Sequence, residues 1–371
     1  MSSGVRHLYV HLPFCAHRCG YCDFVTVVGR HGEHGAYIDG LLRELELEAS
    51  HLDGELDTIF LGGGTPTFTE ERALERLLGA LPAAREVTIE ANPETVTPGV
   101  AALLSRNRVN RVSLGAQSFN TALLDVLERR ATGNDVRRAC DVLRSAGFDN
   151  INLDLVYGIP GQGTADLERD LAEALTLEPE HLSCYELEAK PGTRFTHAHG
   201  AELERQAEAM EDYFERVVEQ LTAAGYRWYE TANFCRASGD DDGRDLRAHH
   251  NLAYWEGRDY LGLGIGAVST VGGKRWRNTP RLPAYVAALR DGVAPARELE
   301  TIDEDTRVRE HVMLGLRLDE PLPLDGLEDA LDDAALRRLA GLGLVHHDGR
   351  TIALTRRGRF LGGGVTADLL T

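Results

Sequence analysis

From the N-terminus to about residue 225, short apolar runs alternate with longer stretches of helical spacing. The runs Leu8–Leu12, Thr58–Leu61, Val87–Ala91, Arg111–Leu114, Ile151–Val156 and Leu182–Leu187 read as strands. Near-continuous apolar character is what a strand buried on both faces requires. Between them, Tyr37–Leu52 places Ile38, Leu41, Leu42, Leu45 and Leu52 on one helical face. Thr69-Glu70-Glu71 opens a second helix, with a hydroxyl cap and acids at its positive end. Further helices are expected over Pro98–Ser105, Asn134–Ala146, Thr164–Leu175 and Leu203–Ala224, with Gly147 and Gly225 as stops. Six βα units in series imply an α/β fold with a parallel sheet, either curled into a partial barrel or doubly wound. Both place ligands at the carboxyl ends of the strands.

The texture changes near residue 300. Glu304–Leu316, Leu324–Leu331 and Ala334–Leu342 read as three helices, and Leu344–Leu354 as a hairpin turning at Asp348-Gly349. Three helices and a hairpin resemble a small α+β winged-helix module. The expected division is 1–235, 236–300 and 301–371. Within the middle part, the acidic run Gly239–Gly243 reads as a solvated loop. Gly262, Gly264 and Gly266 lack the spacing of a dinucleotide fingerprint and read as a close-packed strand or loop.

Charge changes what the C-terminal module is expected to do. The 371 residues carry a net charge of −19, and acids crowd Glu328–Asp333, so docking or packing is favoured over nucleic-acid binding. No signal peptide is read before Cys15, and no apolar run approaches the ~20 residues of a membrane span. A cytoplasmic location is expected, where thiols more often hold metals than disulfides.

Thiols are concentrated in one place. Cys15-Ala16-His17-Arg18-Cys19-Gly20-Tyr21-Cys22 sets three cysteines in a C-x3-C-x2-C run just after the first strand, while Cys140, Cys184 and Cys235 stand alone. Three soft ligands so close call for a cluster, a metal or a disulfide. Zinc would want a second pair of ligands, which does not follow, and a disulfide would leave one thiol over. On a cube of four irons, three cysteines leave one iron open. The second strand ends in Gly62-Gly63-Gly64-Thr65-Pro66-Thr67, a loop whose N–H groups suit an anion but which lacks the Lys-Ser/Thr of a nucleotide-phosphate loop. Glu90, Gln117 and Asp154 sit at or near the ends of later strands among apolar neighbours, and together argue for one shared polar site.

These strings resemble the radical S-adenosylmethionine (SAM) superfamily. Within it they resemble the branch holding the oxygen-independent coproporphyrinogen III dehydrogenases and the HemW-type heme chaperones. The resemblance runs from Tyr9-Val10-His11-Leu12-Pro13-Phe14-Cys15 through Gly-Gly-Gly-Thr-Pro-Thr and Gly115-Ala116-Gln117-Ser118-Phe119 to Asp154-Leu155-Val156-Tyr157-Gly158. It implies a partial (β/α)6 TIM-like barrel. Cys15, Cys19 and Cys22 would hold a [4Fe–4S] cluster. Tyr9, Tyr21, Gly63, Gly64, Thr65, Glu90, Gln117, Arg129 and Asp154 would line the SAM site. Around Arg129 the chain departs from the family's Leu-Gly-Arg-x-His, reading Leu127-Glu128-Arg129-Arg130-Ala131.

Two features separate chaperone from dehydrogenase. Phe24 stands where the dehydrogenase pattern has a fourth cysteine. His250-Asn251-Leu252-Ala253-Tyr254-Trp255 resembles the H-N-x-x-Y-W element of heme-binding members, which implies His250, or its neighbour His249, as an axial heme ligand. Neutral imidazole is the ligating form, so such binding would weaken below about pH 6.5. The resemblance therefore implies a heme chaperone that binds heme, a [4Fe–4S] cluster and SAM, and passes heme to an acceptor protein. Membrane contact would come only through that acceptor, and a dimer is compatible. The alternative is coproporphyrinogen III decarboxylation by radical SAM chemistry.

Overall fold

The computed structural model describes residues 4–190, 194–237 and 243–370. Residues 239–242 of the acidic run, expected to form a loop, lie outside them. Nine strands form the main sheet: β1 (His7–Leu12), β2 (Leu56–Gly63), β3 (Ala84–Ala91), β4 (Arg111–Gln117), β5 (Ile151–Tyr157), β6 (His181–Glu186), β7 (Tyr226–Trp228), β8 (Asn233–Arg236) and β9 (Leu261–Leu263). Their order is β9-β1-β2-β3-β4-β5-β6-β8-β7. All six strands expected from the apolar runs are present, parallel and adjacent in chain order. β9, from the glycine-rich stretch, adds in parallel beside β1, and β8 and β7 finish the other edge antiparallel. Side chains from β2 through β6 and from the β7–β8 turn line one common cavity, so the sheet is curled into a partial barrel.

The helices follow the expected order, with two differences. The expected helix Leu203–Ala224 is divided into Arg194–Gln206 and Met210–Ala223 by a tight turn at 207–209. The expected helix Leu324–Leu331 is replaced by a short strand, Leu322–Pro323, and one turn of 3-10 helix, Glu328–Ala330. Gly326, inside the expected helix, takes φ +78°, a turn conformation that breaks it. The module's helices are instead Glu304–Gly315, Asp333–Gly341, Arg356–Phe360 and Gly362–Leu369. The expected hairpin is there, pairing Val345–His347 with Thr351–Leu354.

A separate apolar core holds this module together, running from Val312 and Leu316 to Val365 and Leu369. It is fastened to the barrel through Trp228 at the end of β7. Phe214 and Phe360 pack on that indole at centroid distances of 5.6 and 5.3 Å. The Arg359 guanidinium lies 3.6 Å above the ring centroid and donates to the Trp228 carbonyl at 2.7 Å. Two ion pairs flank the seam, Arg227 with Asp319 at 2.8 Å and Arg317 with Glu230 at 2.8 Å. Trp228→Ala empties the centre of this contact. It should cost about 3–5 kcal/mol of stability in urea denaturation, the range for a buried tryptophan, and a loss below 1 kcal/mol would contradict the seam.

Candidate functional site

The cysteine run leaves β1 and is tied back to the barrel by main-chain and side-chain bonds. Phe14-Cys15 pairs in parallel with Val27-Val28, and the Val27 N–H donates to the Pro13 carbonyl at 2.8 Å. His11 Nε2 donates to the Val25 carbonyl at 2.8 Å, so Nδ1 is the acceptor for the Tyr9 hydroxyl at 3.0 Å. Burial pulls the His11 pKa down to about 4, which keeps this arrangement neutral and intact at ordinary pH. Beside it the glycine loop passes through space that no side chain can share. A Cβ on Gly63, at φ +112°, would lie 2.4 Å from the His11 ring, and one on Gly64 would lie 2.5 Å from the Pro13 carbonyl carbon.

A hydrogen-bonded chain joins two of the thiols across the strand ends. Arg129 Nη1 donates to Cys19 Sγ at 3.7 Å, and its Nη2 donates to Asn92 Oδ1 at 2.8 Å and the Gly115 carbonyl at 2.9 Å. Asn92 Nδ2 donates to Thr65 Oγ1 at 3.0 Å, and Thr65 Oγ1 donates to Cys15 Sγ at 3.7 Å. His17 Nε2 lies 2.8 Å from the Glu128 carbonyl and 3.8 Å from Cys19 Sγ. Asn92 and His11 were not among the expected site residues. The sequence clue for both is a polar side chain within two residues of a site motif.

Burial raises the Cys15 thiol to about 11 and pushes the Cys22 thiol upward as well. Cys15 and Cys22 therefore stay protonated until a cation draws the protons off. Among the described residues, no three His, Cys, Asp or Glu side chains stand close enough to cage a single metal ion. One zinc needs all its ligands at about 2.0–2.3 Å from one point, whereas in an iron–sulfur cube each thiolate binds its own iron. The thiol arrangement, with N–H and O–H donors aimed at two of the sulfurs, fits the cube better.

Cys15, Cys19, Cys22, Tyr21, Gly63, Gly64, Thr65, Glu90, Gln117, Arg129 and Asp154 all line the same cavity, of about 1170 Å³. Gln117 stands at a register shift between β4 and β5 with φ +64°, strained backbone of the kind that aims a side chain at a ligand. Glu90 accepts the Gly63 N–H at 3.0 Å. Asp154 accepts from Ser113 at 3.1 Å and Asn152 at 2.8 Å. Burial, and after it the Asp154 carboxylate, push Glu90 up to about 7. This set offers acceptors for an ammonium and for hydroxyls, and N–H donors for a carboxylate, which fits an amino-acid-bearing cofactor such as SAM. Tyr9 stands apart from the cavity wall, bonded to His11 and stacked on Phe60 at 6.2 Å.

His250, expected as an axial heme ligand, lies off the cavity wall. It sits on the short helix His249–Trp255, is 1% exposed, and faces Thr58 near the opposite end of β2 from the glycine loop. Its Nδ1 is 2.7 Å from Thr58 Oγ1 and its Nε2 is 2.9 Å from the Tyr254 hydroxyl, so both ring nitrogens have hydrogen-bond partners in this structure. Burial lowers its pKa to about 3, so the expected pH dependence near 6.5 does not apply to it. Glu86 accepts the backbone N–H groups of His249 and His250, and Trp255 packs under the Arg317 guanidinium at 4.3 Å. The element plugs the floor of the barrel and ties it to the C-terminal module. His249 is turned toward Asp245 and is also off the cavity wall.

Comparison with known proteins agrees with this geometry. The radical SAM superfamily model matches residues 9–174, and the HemN C-terminal domain model matches residues 302–361. The solved coproporphyrinogen III oxidase HemN of Escherichia coli, described as a radical SAM enzyme, superposes with a TM-score of 0.82 at 25% identity, over 100% of this chain and 91% of that one. The heme chaperone HemW of Mycobacterium tuberculosis (strain H37Rv) is 34% identical over 98% of this chain and 94% of its own. That of Bacillus subtilis (strain 168) is 32% identical over 97% and 98%, and that of Escherichia coli (strain K12) is 37% identical over 70% and 68%. Fold and site together define a radical SAM protein with a partial barrel and an added C-terminal module. Within that superfamily the chain belongs to the family of HemW heme chaperones.

Two outcomes test the site. For Glu90, the raised carboxyl contributes stability that is full below the ordinary value of 4.5 and is lost as pH rises through about 7. Glu90→Gln should therefore gain on the parent by on the order of 2 kcal/mol between pH 5 and pH 8 in urea denaturation, and a pH-independent difference would show the carboxyl to be ordinary. For the plug, His250→Ala strands the Thr58 and Tyr254 hydroxyls and leaves a void. It should lower stability by about 2–4 kcal/mol, and no change in the denaturation midpoint would rule the plug out.

Proposed function

We propose that this chain is a heme chaperone that holds a [4Fe–4S] cluster on Cys15, Cys19 and Cys22, binds SAM on the polar strand ends, and carries heme to an acceptor protein. The observation that carries the choice is Phe24. It is 62% exposed at the cavity mouth and stands where the dehydrogenase pattern has a fourth cysteine. A phenyl ring cannot replace a thiolate in any electron- or proton-handling role. The similarity to HemW chaperones over 98% of the chain points the same way.

The bound cluster would supply the electron that radical SAM chemistry uses to cleave SAM. The chain's own part is to orient. Arg129 and Thr65 give hydrogen bonds to Cys19 and Cys15, Glu90 and Asp154 provide carboxylates, and Gly63 and Gly64 allow the backbone to approach. In this reading residues 1–235 hold cluster and SAM, 236–300 plug the floor, and 301–371 wall the cavity. Heme is assigned to the cavity and not to His250. No helix among the described residues is long and apolar enough to cross a membrane. The working location in this reading is the cytoplasm, with nucleic acid absent from the partners and a dimer allowed.

A second reading, coproporphyrinogen III dehydrogenase, has one observation in its favour: the superposition on HemN extends over the whole chain. Anaerobic assay of the cluster-loaded protein with SAM and coproporphyrinogen III separates the two. We expect no protoporphyrinogen, with hemin bound stoichiometrically in the same preparation. Multiple turnover would replace the chaperone reading with the enzyme. Cys15→Ser, Cys19→Ser and Cys22→Ser should each lose the cluster's visible absorption, and full cluster content in any one would remove that residue from the ligand set.

A further inference from the structure

Among the arginines on the cavity wall, Arg111, Arg129 and Arg359 each keep a buried guanidinium nitrogen without a hydrogen-bond partner. Arg111, at the start of β4, is 2% exposed and lines the cavity, and its Nε has no hydrogen-bond partner. No carboxylate among the described residues forms an ion pair with it. Asp154 is close enough to feel its charge but gives its oxygens to Ser113 and Asn152. Glu86 turns to the backbone of the floor helix. Arg359, from the C-terminal module, lines the same cavity. Its Nη1 is used by the Trp228 carbonyl, while its Nη2 is buried without a partner. Of the other arginines on the wall, Arg317 pairs with Glu230, Arg18 donates to the Cys22 carbonyl, and Arg129 gives both terminal nitrogens to Asn92, Gly115 and Cys19 beside the cysteine run.

A buried guanidinium left without an anion is costly, and the planar fork is suited to a carboxylate. The wall also presents apolar surface, from Tyr185, Leu187, Phe214, Leu316, Phe360 and Leu370. A volume of about 1170 Å³ exceeds the ~300–1,000 Å³ of a typical small-molecule site, leaving room beyond one cofactor. The matching ligand has a flat apolar body and carboxylate arms. We propose that Arg111 of the barrel and Arg359 of the C-terminal module hold the two carboxylate side chains of a tetrapyrrole in this cavity. The proposal rests on the heme-chaperone reading and adds to it the anchors and the reason for the second lobe.

Hemin and hemin dimethyl ester differ only at those carboxylates, so titrating the full-length protein with each, by absorbance, reads the anchors directly. The parent should prefer hemin. Arg111→Gln and Arg359→Gln should each weaken hemin binding by roughly 10- to 100-fold, the loss expected for a hydrogen bond to a charged group. Arg111→Gln should leave ester binding nearly unchanged; Arg359→Gln also loosens the Trp228 seam, so its reading is the ratio of hemin to ester affinity, which should fall toward one, and the double variant should no longer distinguish the two ligands. Arg111→Lys keeps the charge and should keep part of the preference, which separates anchoring from misfolding. Equal hemin affinity in the parent and both Gln variants, or a loss of SAM affinity alone, would overturn the anchors while leaving the chaperone reading in place. A parent protein that binds no hemin would overturn both.

Discussion

The site depends on a backbone-to-backbone contact that only glycine permits. β2 runs into its loop alongside β1 so closely that Gly64 lies against the Pro13 carbonyl and Gly63 against the His11 ring. That contact sets the cysteine loop directly over the carboxyl ends of the strands. Everything else at the site takes its position from it. His11 reaches the Val25 carbonyl and closes the far side of the cysteine loop. Thr65, the next residue, turns its hydroxyl to Cys15 and links through Asn92 and Arg129 to Cys19. A methyl group at either glycine would push two strands apart, and the polar chain between the sulfurs would lose its register.

Burial then sets the chemistry. Cys15 and Cys22 are held above their ordinary pKa, and the donors of Thr65 and Arg129 are already aimed at Cys15 and Cys19. Cations are needed to complete the site, and its N–H and O–H donors are placed to stabilise thiolates once the cations arrive. Glu90 is likewise held near neutrality by burial beside Asp154. It is poised to ionise when a positively charged group enters the cavity.

How much of this was legible in the sequence differed with the range of the interaction. The six parallel strands were readable because burial on both faces leaves a continuous apolar run. The cysteine run and the glycine loop were readable because their chemistry is local. Arg111 was read only as the first residue of a strand, because its lack of a partner depends on β5 side chains and the floor helix. The surroundings of His250 were unreadable for a related reason. A histidine followed by two aromatics does not announce its packing partners. They include Thr58, 192 residues away in the chain, and the Tyr254 hydroxyl. Leu324–Leu331 failed as a helix because its apolar spacing was weighed above Gly326.

The barrel is incomplete, and that explains the second lobe. A sheet ending in β9 on one side and β7 on the other leaves an opening that would expose polar strand ends and apolar wall together to water. The C-terminal module supplies the missing wall. It is held by an indole seam at Trp228, by ion pairs at Arg227 and Arg317, and by the stacking of Arg317 on Trp255 of the floor helix. These contacts mix one buried aromatic cluster with part-exposed ion pairs. Exposed pairs contribute little each, so the aromatic cluster carries most of the adhesion and the pairs set orientation. A wall attached in this way is stable enough to define a cavity. The module's own apolar core keeps that wall folded independently of the barrel's core.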